Sequence, residues 1–62
     1  MTDALTRADQ IMTRYVELTG SPMDSIALTD IIADLALWGY NNGFDSADSV
    51  RIAMKTHVPA ER

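Results

Sequence analysis

Leu5, Ala8, Met12, Tyr15 and Val16 recur at the three- and four-residue spacing of one helix face, and Ile11 and Leu18 widen the stripe. The pattern predicts a first helix over about 3–19, with Thr2 or Asp3 as its cap. Gly20 is a natural stop, and Ser21-Pro22 confirms the break. A second, broader apolar face comes from Ile31, Ile32, Leu35 and Trp38, with Leu28 at its edge. It predicts a helix over about 23–42. Its start is open to more than one reading. Ser21-Pro22-Met23-Asp24 reads as a cap, a proline at the first helical position and an acid at the third. Ser25 or Thr29 would also cap a later start, with Met23 to Ala27 as a short separate turn. Its end is marked by Asn41-Asn42-Gly43, followed by Phe44 in the place for the usual closing contact.

A third stripe, Ala47, Val50, Ala53, Met54 and Val58, predicts a helix over about 46–57. Asp45 is its expected cap, and Asp48 sits where a capping box wants an acceptor. Pro59 discourages continuation, so Ala60-Glu61-Arg62 is expected to be loose. No run alternates with period two over a useful length. The chain therefore reads as a single all-α domain: a small bundle, or an open arrangement of three short helices. Trp38 is the expected core anchor.

Size sharpens this picture. A chain of 62 residues buries only about 60% of the surface its unfolded form exposes. There is no Cys and one His, which removes disulfides, thiolate zinc and multi-histidine sites as supports. What remains is helix packing or a second subunit, and homodimerisation would cover any stripe left open. No leader is read in Met1 to Gln10, which holds Asp3, Arg7 and Asp9. The apolar stretch from Ile31 to Tyr40 is interrupted by Asp34 and falls short of the roughly 20 residues of a membrane span. A cytoplasmic protein is expected.

Charge is uneven. The net charge is −4, and residues 15–50 contain no Lys or Arg but six acids: Glu17, Asp24, Asp30, Asp34, Asp45 and Asp48. Such a balance argues against binding a phosphate backbone, which needs a basic face. Asp30 and Asp34 stand one helical turn apart, with Leu37 on the same side. Acids beside an apolar contact suit a surface that docks on a basic partner, with Asp24, Asp45 and Asp48 flanking. The plainer reading is that Asp45 and Asp48 serve a helix N-terminus and the rest form a solvated face.

Other chemistry finds less support. Asp30 and Asp34 supply too few carboxylates for a magnesium site. Asn41-Asn42-Gly43-Phe44-Asp45 lacks the alternating ligands and closing Glu of a calcium loop. His57 has no nucleophile motif around it and suits a helix C-terminus. No catalytic residue, cofactor or metal is expected. Arg51 and Lys55 share a face of the third helix, which leaves a small DNA-binding regulator as the alternative, although Asp45 and Asp48 occupy the end that would enter the groove.

The segment Leu28-Thr29-Asp30-Ile31-Ile32-Ala33-Asp34-Leu35, with Trp38, Asn42-Gly43-Phe44-Asp45, Ala47 and Ala53, resembles short proteins encoded by bacteriophages and prophages. The same segment is distantly similar to a helical hairpin of all-α nucleoside triphosphate pyrophosphohydrolases, whose paired acidic metal motifs it lacks, and that likeness implies a degenerate accessory protein of this kind as a further alternative. Size and charge are similar to those of small acidic anti-CRISPR proteins. That resemblance implies a non-catalytic inhibitor in an infected or lysogenic bacterium. Its partner would be a basic nucleic-acid-binding surface of a host complex, a Cas effector in particular.

Overall fold

In the computed structural model the described residues are 3–61, and their regular elements are all helical. Helix α1 spans Asp3–Thr19 and α2 spans Ser25–Asn41. Helix α3, Ser46–Ile52, runs on through a π-helical turn, Ala53–His57, into a last turn α4, Val58–Glu61. The all-α expectation is met. Asp3 is the first helical residue of α1, at the positive end of its dipole. The expectations for Thr2 and Arg62 fall outside the described residues.

Local chemistry explains the boundaries. The N–H of Gly20 donates to Val16 O at 2.8 Å and closes α1. The start of α2 corrects the reading of Asp24 as a third-position acid and of a helix beginning near Met23. Asp24 is the N-cap itself, and its carboxylate accepts from the N–H groups of Ile26 and Ala27, both at 3.0 Å. Two otherwise orphaned donors are satisfied by one side chain, which outweighs a start at Pro22. At the other end, Phe44 N–H donates to Gly39 O and Gly43 N–H to Tyr40 O, the paired bonds of a Schellman motif. Gly43 supplies the left-handed turn, with φ of 81°. The Phe44 ring then packs on Trp38 with centroids 6.0 Å apart, the hydrophobic closure the motif favours.

The third helix departs from expectation. It continues past His57 and through Pro59. Proline has no N–H to donate, and its ring crowds the carbonyl four residues back, here that of Lys55. The π turn widens the backbone just there, with Val58 N–H bonding to Ala53 O five residues away. Ala60 and Glu61 are accordingly helical, not loose.

Helix α2 lies between its neighbours, with α1 and α3 both packed on it. The α2–α3 contact is close. Ser46, 5% exposed, donates its Oγ to Ala36 O at 2.7 Å. A Cβ on the buried Gly39 would collide with Ser46 Oγ, so glycine is what allows the approach. Ala47 N–H donates to Tyr40 OH at 3.2 Å and adds a second tie. On α1, Met12, Tyr15 and Val16 are half-buried, and on α2 Ala27 and Ile31 are buried.

The core is correspondingly thin. Ala27 and Ile31 are its only buried hydrophobic residues among those described. Trp38 is 61% exposed, which corrects its assignment as the core anchor. It stays open because α1 and α3 flank α2 without closing over its Trp38 side. The arrangement is the open one: the radius of gyration is 12.5 Å, against about 11 Å for a compact chain of this length.

Candidate interaction surface

The acids of the middle segment fall into three groups. Asp24 and Asp45 are N-caps, and Asp45 accepts from Asp48 N–H at 3.0 Å. Two other acids are paired within their helices. Asp48 accepts from both Arg51 Nη2 at 2.6 Å and Arg51 Nε at 3.1 Å, and Glu17 lies 3.4 Å from Arg14. Exposed pairs of this kind contribute only about 0.2–1 kcal/mol. Asp24, Asp30, Asp34 and Asp45 have no cationic partner among the described residues.

Asp34 has a different role from Asp30. Its Oδ2 accepts a 2.5 Å hydrogen bond from the hydroxyl of Tyr15, across the seam between α1 and α2. That bond, then desolvation and the negative charges of Asp34 and Asp30, push the Tyr15 hydroxyl up to about 12. Asp34 is thus a latch between helices as well as a surface charge. Asp30 makes no hydrogen bond or ion pair among the described residues, and Leu37 is 67% exposed. Asp30, Asp34 and Leu37 follow one another at four and three residues, along one stripe of α2. The structure therefore places these three on one flank and puts Asp24, Asp45 and Asp48 at the two helix starts. Arg51, held by Asp48, is less available as a groove-reading residue.

The open apolar stripe that the sequence allows for takes the form of two grooves. Between α1 and α2 runs an apolar groove of about 460 Å³, lined by Ile11, Tyr15, Leu18, Ile31, Leu35 and Trp38 together with Gln10, Arg14 and Asp34. Between α2 and α3 a second of about 350 Å³ is lined by Leu35, Trp38, Phe44 and Val50, among others. Leu35 and Trp38 line both, so the two grooves adjoin along one face of α2 and are taken together as a trough. The available signal was the number of apolar positions: three helices carry more than one narrow stripe each.

Among the described residues no three His, Asp or Glu side chains converge to hold a metal ion, and no helix is long and apolar enough to cross a membrane. No family model, curated protein or solved structure matches the chain.

Proposed function

We propose that the chain is a non-catalytic interaction protein whose acidic α2 flank occupies a basic nucleic-acid-binding surface of a host complex. The specific candidate is an inhibitor of the anti-CRISPR kind, blocking DNA binding by a Cas effector complex. The observation that supports this reading is the row of Asp30, Asp34 and Leu37. It sets two carboxylates without cationic partners among the described residues beside an exposed leucine, in a segment with no basic residue. Carboxylates at one-turn spacing offer a basic groove the charge it holds for phosphates. Leu37 adds apolar contact that phosphate lacks. Complementary charge speeds encounter and fixes register.

The structure also dictates how to test it. Asp34 joins α1 to α2, so reversing its charge disturbs the fold and the surface together. Asp30 and Leu37 make no such link. Purified Cas effector complex is loaded with labelled DNA and titrated with the chain. The wild type is expected to displace the DNA, less effectively as salt rises. Asp30→Lys with Leu37→Ala should weaken displacement by roughly thirtyfold or more, the loss that defines a hot spot. Equal displacement by both proteins, or none by the wild type at low salt, contradicts the reading.

A further inference from the structure

The trough and the acidic flank make different demands on whatever covers them. A partner matched to the flank is basic. The trough holds almost no charge: its α2–α3 half has none, and its α1–α2 half has Arg14 and the Asp34 already bonded to Tyr15. Asp24, Asp30, Asp45 and Asp48 all lie outside both linings. Two copies of a chain with a net charge of −4 can therefore meet trough to trough without setting the unpartnered acids of the helix starts and Asp30 against each other.

Area points the same way. The chain exposes 5080 Å², whereas a compact monomer of 6.8 kDa exposes about 4,000 Å². The excess is about 1,000 Å² per chain. If two copies each bury that much, the contact removes about 2,000 Å², where permanent homodimers begin. Ile11, Leu18, Leu35, Trp38, Phe44 and Val50 supply the apolar content, each at least 44% exposed. Such a partner would also add to the chain's small core. Its buried hydrophobic core is Ala27 and Ile31 among the described residues, and it has no disulfide to supplement it.

We infer that the trough over Leu35 and Trp38 is a homodimer interface, which leaves Asp30 and Leu37 outside the contact on each copy, with Asp34 at its edge. Sedimentation equilibrium of the full chain over about 1–100 μM tests this, with thermal unfolding measured at the same concentrations. A mass of twice 6.8 kDa at the upper end, with an unfolding midpoint that rises with concentration, is expected. Leu35→Glu, at the centre of the trough, should raise the dissociation constant at least tenfold. If that variant does not fold, Ile11→Gln at the exposed margin should shift the same constant in the same direction. Leu37→Glu, on the other flank, should leave it unchanged. A folded monomer throughout, with a concentration-independent midpoint, overturns the inference. So does a dimer that Leu37→Glu dissociates and the trough variants do not. The mass is read without any host partner, so its outcome is separate from the DNA-displacement result.

Discussion

The two sides of α2 are held by different means. On the α3 side the backbones come close enough that Gly39 leaves no room for a methyl group beside Ser46, and a buried hydroxyl bonds to Ala36 O. The Schellman turn and the Tyr40–Ala47 bond fix the same corner. On the α1 side a solvent-facing hydrogen bond, Tyr15 to Asp34, joins the helices beside Ala27 and Ile31. One wall of the trough is therefore set by steric fit, and the other by a bond that water competes for. Interfaces that adjust on assembly draw their moving parts from elements held in the second way.

Four substitutions probe this contrast. Gly39→Ala has the largest expected effect. Its new methyl would overlap Ser46 and displace the hydroxyl from Ala36, and overpacking of this kind costs about 1–3 kcal/mol. Urea unfolding should show much of a small protein's stability lost. Gly43→Ala comes next, because φ of 81° suits glycine and costs an L-residue about 1–2 kcal/mol. Circular dichroism melting should register it, and a change near zero would show that the α2–α3 corner does not depend on that turn. Asp24→Ala removes the cap of α2 and should cost about 1 kcal/mol, read as a lower melting temperature with helicity retained at low temperature.

Tyr15→Phe is the mildest and sharpens the other side of the comparison. The folded chain holds the Tyr15 proton to about 12, against 10.0 for an ordinary tyrosine. The unfolded chain therefore releases it first. The stability that this proton confers is intact below pH 10 and is lost as pH rises through 12. Wild-type stability should fall over that window, and Tyr15→Phe should remove that part of the fall. Unfolding curves for both proteins across the range decide it.

Elements that depend on neighbours in sequence were legible in advance. The bounds of α1, the Asp45 cap and the Asn42-Gly43-Phe44 closure all follow from residues within a turn or two. Asp24 and Pro59 were harder because each local rule had a competitor. A proline at the first helical position competed with an aspartate cap, and a widened turn absorbed a helix breaker. Trp38 shows where local pattern stops being decisive. Its helical face is plain in the pattern, but whether that face is covered depends on how α1 and α3 meet around α2. The acidic flank was visible as spacing. The use of Asp34 as a latch was not, since Tyr15 lies nineteen residues away in another helix.

The chain carries a single tryptophan, and it stands in the trough. Acrylamide quenching of Trp38 fluorescence across a dilution series therefore tests the central claim directly. In a lone chain the side chain is largely open to solvent, with the residue 61% exposed. Protection and blue-shifted emission are expected at high concentration, giving way to quenching and a red shift on dilution. Strong quenching at every concentration, with helicity unchanged, would contradict it.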